Sequence, residues 1–96
     1  MHIRIVTFQL DGIDEHEYLG LATAVAPAFA AWPGLRSKTW LRNAETNTYG
    51  GVYVFDSAEA SDASRRTDLY QQMSANPSFA NIEVREFSVI EELTPV

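Results

Sequence analysis

Apolar residues fall on both faces of the first extended stretch, His2 to Leu10 (HIRIVTFQL): Ile3 and Ile5 point one way, Val6, Phe8 and Leu10 the other. β-Branched and aromatic types in that arrangement predict a strand covered on both sides. The period then changes. Tyr18, Leu21, Ala22, Val25, Phe29 and Trp32 recur at helical spacing and predict a helix with one apolar face, capped by Asp14 and running to about Trp32. Glu15 and Glu17 sit in its first turn, where the helix dipole favours them. Pro27 is expected to bend or restart this helix, and Pro33-Gly34 to end it. A period of two returns over Leu35 to Asn43, but with a polar face of Arg36, Lys38, Trp40 and Arg42. A third strand, Tyr49 to Phe55, follows the turn formers AETNT, which predicts an antiparallel hairpin. Ser57 caps a second helix to about Ala75, carrying Ala60, Ala63, Leu69, Tyr70 and Met73, and Asn76-Pro77 stops it. Ile82 to Ile90 forms the last strand, with Val84 and Phe87 out of alternation as a bulge would cause; EELTPV is a tail.

The resulting order, β-α-β-β-α-β, with right-handed crossovers, predicts an α+β fold: a ferredoxin-like sandwich of one antiparallel sheet with both helices on one face. Residues 1–96 make a single domain. The other sheet face would be bare, and a face carrying Trp40 and other aromatics does not stay bare. Two copies are therefore expected to pack sheet to sheet across a two-fold axis as a dimeric α/β barrel. The polar face of the second strand is expected to turn away from both helices, toward the second copy. So small a core without any cysteine also favours a homodimer.

Charge narrows the partners. Thirteen acidic against 7 basic residues give a net charge of -6 and a pI near 4.7. No Lys/Arg stripe exists, so no nucleic acid is expected. No apolar stretch approaches the ~18 residues of a membrane span. The N-terminus MHIRIVTF lacks the plan of a signal peptide, and the chain reads as cytoplasmic. With no Cys and only His2 and His16, no metal set is expected. No GxGxxG, P-loop or GxSxG occurs.

Pro33-Gly34-Leu35, Lys38-x-Trp40 and Gly50-Gly51-Val52-Tyr53-Val54-Phe55 resemble the ydhR-type monooxygenases, within the wider antibiotic-biosynthesis-monooxygenase group of dimeric α+β barrels. The likeness is sharp from Pro33 to Asp56, and element order carries it across most of the chain. The resemblance implies a homodimer with a small-molecule cavity in each subunit, between helices and barrel sheet. It also implies a cofactor-independent monooxygenase, using O₂ on a small aromatic or enolisable substrate with no metal or flavin. The haem-degrading branch needs a His on its second helix, which this chain lacks, so haem is not expected. The same barrel also hosts isomerases and cyclases; that alternative requires an acid–base pair, for which His2 with Tyr53 is the visible candidate. A non-catalytic small-molecule-binding dimer is the third reading.

Lys38, Tyr53 and Trp40 are the expected catalytic residues, with Arg36, Phe55, Phe8, Tyr70 and His2 as substrate-binding residues. Trp40 would stack on an aromatic substrate, and Lys38 or Arg36 would stabilise a phenolate or enolate. In the competing reading Trp40 is interface packing and the cations pair with Asp or Glu across the interface. A Trp40 buried in the core against the helices would remove the site. Tyr53 would donate a hydrogen bond or act as a weak acid; otherwise its hydroxyl finds a backbone partner. Gly50 and Gly51 suggest a bulge or a cleared space. His2 shares a face with Arg4, Val6 and Phe8, whereas His16 should face solvent. Phe29 and Trp32 are expected in the core. Tyr70 and Met73 line the cavity mouth or only pack, and Glu83, Arg85 and Glu86 are candidate interface charges.

Overall fold

Local signals set most of the element boundaries. The computed structural model describes residues 1–94: β1 (His2–Leu10), α1 (Glu15–Ala30), β2 (Leu35–Asn43), β3 (Thr48–Phe55), α2 (Ala58–Ser64), α3 (Asp68–Ala75), β4 (Phe79–Ser88) and a 3-10 turn, Glu91–Leu93. The last two residues of the expected tail lie outside the described residues. The four strands form one antiparallel sheet in the order β2-β3-β1-β4, the ferredoxin-like arrangement.

Asp14 caps α1 as expected, its Oδ1 accepting from the Glu17 N–H at 2.8 Å. The helix runs unbroken through Pro27, so it does not restart there. Thr23, whose carbonyl loses its partner there, and Pro27 both lie on the exposed side, where water takes the bond at little cost. The expected second helix is two helices. The Thr67 hydroxyl donates to the Ser64 carbonyl at 2.7 Å and accepts from the Tyr70 N–H at 3.2 Å, closing α2 and opening α3. The break turns Ser61 and Ser64 inward, where Ala63 was expected.

β4 begins at Phe79, three residues before the expected Ile82. Its bulge exists, but at Asn81, where φ is 54° and the register to β1 shifts between Thr7 and Gln9. Val84 and Phe87 simply alternate beyond it, Val84 paired with Val6 and Phe87 with Ile3. A second register shift falls between Leu35 and Ser37 and leaves Arg36 outside the alternation.

The sheet faces are decided by register. On β1 the buried residues are Arg4, Val6, Phe8 and Leu10, and on β3 Tyr49, Tyr53 and Phe55. All of these but Arg4, together with Tyr18, Phe29 and Trp32, make the hydrophobic core under the helices. Lys38 pairs with Tyr53, Trp40 with Gly51 and Arg42 with Tyr49, so this face of β2 turns toward the helices. The expectation that it turns away from them, toward a second copy, is corrected. Ile3, Ile5, Leu41, Val52, Val54 and Phe87 carry the opposite face. Leu21, expected in the buried stripe, is 48% exposed.

The paired glycines are not a bulge, since β2–β3 register is continuous there. A Cβ on Gly50 would lie 1.8 Å from the Val6 carbonyl oxygen, so backbone crowding excludes any side chain. A Cβ on Gly51 would meet the Lys38 Cε at 2.9 Å; the gap lets the lysine stem lie across β3.

Candidate active site

The sheet and the two flanking helices α1 and α3 do not close completely. They leave an apolar cavity of about 150 Å³, roughly the volume in which a benzene-sized ring fits. Phe8, Gly50 and Tyr53 form its floor, Lys38 and Trp40 one wall, and Tyr18, Phe29 and Met73 part of its roof. Trp40 packs edge-on against Phe29 of α1 at 5.6 Å, yet it stays 39% exposed. It is therefore a wall between the cavity and two larger, more open depressions along the α1–β2 gap, and not a core residue.

Lys38 is the sole lysine among seven basic residues. Its Nζ lies 3.3 Å from the ring centre of Phe29, 3.4 Å from that of Trp40 and 4.6 Å from that of Tyr53. The other two cations of β2 are paired within the chain, Arg36 with Asp56 at 3.6 Å and Arg42 with Glu15 at 3.3 Å. Glu15 also accepts from the Tyr49 hydroxyl at 2.9 Å. No carboxylate among the described residues pairs with Lys38. Burial lowers its pKa to about 7. The ring faces favour the ammonium by about 0.5–2 kcal/mol each, but withdrawing an unpaired charge from water costs several kcal/mol, so the downward direction stands.

Tyr53 is 3% exposed, its ring near-parallel to those of Trp32 and Phe55 at centroid distances of 6.1 and 6.2 Å. Its hydroxyl makes no hydrogen bond with any described residue, the backbone included, and burial pushes its pKa up. It is neutral, and its ring centre lies 4.6 Å from the Lys38 nitrogen. Tyr18, pushed up to about 12 by burial and the nearby Tyr49, is the other titratable group lining the cavity.

The remaining expected site residues scatter. Phe8 joins Lys38, Trp40 and Tyr53 in the cavity. Tyr70 lines a second space of about 20 Å³ behind the floor, its ring 5.3 Å from the Arg4 guanidinium. Phe55 is fully buried beneath Arg4 at 5.0 Å and does not reach the cavity. Arg36 sits at the bulge in an outer depression. His2 Nε2 is 2.9 Å from Glu86 Oε1, so it is not assembled with Tyr53 as an acid–base pair. Glu86, expected among the interface charges, faces the helices beside Arg4, while Glu83 and Arg85 pair with Thr7 and Ile5 on the outward face. Phe29, read only as core, also covers the Lys38 nitrogen.

Arg4, named in the sequence only as a neighbour of His2 on one strand face, was given no role. It is fully buried, its Nη2 donating to the Ser61 carbonyl, Ser61 Oγ and Ser64 Oγ at 2.6, 2.7 and 2.9 Å. Glu86 accepts from Ser61 Oγ at 2.6 Å and pairs with Arg65. An arginine on the apolar face of a strand was the available signal.

Among families, the one described as "Putative mono-oxygenase ydhR" matches residues 3–96. No curated protein matches the sequence. Similar solved structures include SnoaB from Streptomyces nogalater, described as a cofactor-independent oxygenase, at 20% identity and TM-score 0.76, covering 97% of this chain and 96% of that one. MhuD, solved with two manganese protoporphyrins per active site, matches at 21% identity and TM-score 0.74 over 94% and 95% of the two chains. An antibiotic biosynthesis monooxygenase of Deinococcus radiodurans, so described provisionally, matches at 12% identity and TM-score 0.78 over 93% and 92%. At these identities the likeness is one of fold.

Proposed function

The chain belongs to the family described as "Putative mono-oxygenase ydhR", and from that premise we propose that it oxygenates a small phenolic or enolisable molecule in the Lys38 cavity, using O₂ without metal or flavin. The observation that carries this reading is the amine of Lys38, held against three ring faces with no carboxylate partner among the described residues. The neutral amine takes the proton of the substrate hydroxyl, and the ammonium so formed stabilises the resulting anion. Trp40 and Phe8 bracket the ring, and the Tyr53 hydroxyl donates to the substrate oxygen. The anion passes one electron to O₂; the substrate radical and superoxide join in a C–O bond. The peroxide is protonated, its O–O bond breaks, and water leaves with the second hydrogen of the reacting carbon. A CH₂ of the keto tautomer thus becomes C=O, and all four electrons that reduce O₂ come from the substrate.

Oxygen uptake with a panel of hydroquinones and enolisable aryl ketones tests this. We expect one O₂ consumed per substrate, no effect of chelators, and kcat/KM rising with pH through about 7, as Lys38 loses its proton. Turnover without oxygen would transfer the reading to an isomerase or cyclase. Saturable binding with no turnover would leave a binding protein.

The proposal includes a homodimer paired through the sheet face opposite the helices. Phe87, on that face, is 48% exposed, and a face with Ile3, Ile5, Val52 and Val54 is of the kind that marks interfaces. Sedimentation at micromolar concentration is expected to give twice the chain mass; a monomer, unchanged by Phe87→Glu, would overturn it.

A further inference from the structure

The chemistry of an unpaired amine in an apolar-walled cavity extends beyond proton transfer. Six of the seven basic residues are arginine, and the one lysine lies in the cavity. A guanidinium does not serve as a nucleophile near neutral pH, whereas a desolvated lysine amine does. The Lys38 stem crosses β3 where Gly51 clears its path, which brings Nζ to the wall of a space sized for one ring. That wall is aromatic, and it includes the phenol of Tyr53, whose ring centre is 4.6 Å from Nζ. The groups facing Nζ come from α1 (Phe29), β2 (Trp40) and β3 (Tyr53), and none carries a charge.

We propose that Lys38 is also a covalent site for small aromatic aldehydes and ketones, which it binds reversibly as an imine. The amine lone pair attacks the carbonyl carbon, and a proton moves from nitrogen to oxygen to give the carbinolamine. Tyr53 then donates a proton to the carbinolamine hydroxyl, the C–O bond breaks, water departs and the C=N bond forms. The iminium N–H proton returns to the Tyr53 phenolate. One amine and one carbonyl become one imine and one water; no oxidant or reductant is needed for capture. The apolar walls favour the imine by keeping water from its carbon. This activity is independent of oxygenation, since it requires neither O₂ nor an ionisable substrate hydroxyl.

Benzaldehyde with cyanoborohydride, under nitrogen at about pH 7, tests the proposal, because reduction converts the imine into a stable benzyl amine. The only other amine in the chain is that of Met1, which pairs with Glu91 at 2.5 Å. Intact mass and peptide mapping are expected to show one benzyl group on Lys38, formed about tenfold or more faster than on free Nα-acetyl-lysine. The advantage follows from the amine fraction near pH 7, offset by lower nucleophilicity. Tyr53→Phe is expected to slow labelling about tenfold or more while leaving the site of labelling unchanged. Lys38→Arg, checked for folding by circular dichroism, should lose the adduct. Labelling confined to Met1, or labelling of Lys38 no faster than of the free amino acid, would overturn the proposal even in a protein that consumes O₂. Conversely, Lys38 labelling without any O₂ uptake would uphold it while the oxygenase reading fails.

Discussion

Lys38→Met is expected to abolish oxygen uptake and, at neutral or lower pH, to make the fold more stable. The two effects have one cause. The nitrogen is half-buried among aromatic rings with no carboxylate paired to it, which poises it as a base and penalises it as a charge. Loss of a positioned base lowers the rate about 10²–10⁴-fold. The stability effect has a definite pH signature. The folded-state pKa is about 7 and the ordinary value 10.5, so between them the unfolded chain binds more protons than the folded one. Wild-type stability therefore rises with pH across that window, and the penalty is complete below it. Methionine fills the same space without charge. The gain is expected to be about 1–3 kcal/mol near pH 6, after the lost cation–π attraction is deducted, and to shrink toward zero near pH 10. Thermal unfolding of both proteins at the two pH values measures it. Unimpaired oxygen uptake in the variant would remove Lys38 from the chemistry. A variant less stable at pH 6 would mean that the ring contacts outweigh burial.

The second large effect lies away from the cavity. Glu86→Ala is expected to destabilise the protein by about 3–5 kcal/mol, because it leaves Arg4 fully buried without its counter-charge. Burial pushes the Glu86 carboxyl up, but hydrogen bonds from Ser61 and His2 and the charges of Arg65 and Arg4 together outweigh it and hold the pKa at about 2. Because the folded value lies below the ordinary 4.5, the stabilisation is present above about pH 4.5 and is lost as pH falls toward 2. Urea unfolding against pH should show that acid-sensitive component in the wild type and not in the variant. Arg4→Met combined with Glu86→Leu should recover most of the loss, since an apolar pair of similar size replaces both charges. A Glu86→Ala change of under about 1 kcal/mol would show that the network contributes little to the fold.

The element order, the Asp14 and Ser57 caps and the β2–β3 turn were legible because each depends on residues close together in the chain. The break at Thr67 was hidden because a helix stripe carries on through it, and only the hydroxyl's two bonds reveal it. The bulge at Asn81 was sensed from Val84 and Phe87 but misplaced, since alternation registers an extra residue without saying where it sits. Of the candidate site, Lys38, Trp40, Tyr53 and Phe8 were read from the strands and do share a cavity. Arg36, Phe55 and His2 were grouped with them by alternation alone. The β2 bulge displaces Arg36, and distance along the strand removes the other two.

The sequence by itself determined that there are four strands, the extent of the first helix and the Asp14 and Ser57 caps, and that Lys38 and Trp40 share one face of β2, because a period of two is a property of the extended backbone. It did not determine which way that face looks. Side is set by register with β3, where Lys38 meets Tyr53 and Trp40 meets Gly51, and a one-residue slip would send every side chain to the other face. Only the tertiary structure placed the lone lysine under α1 against Phe29, and Arg4 beneath Ser61 and Ser64. Burial of a charge and the partners that compensate it come from elements distant in sequence, and both the chemistry of Lys38 and the stability carried by Glu86 follow from them.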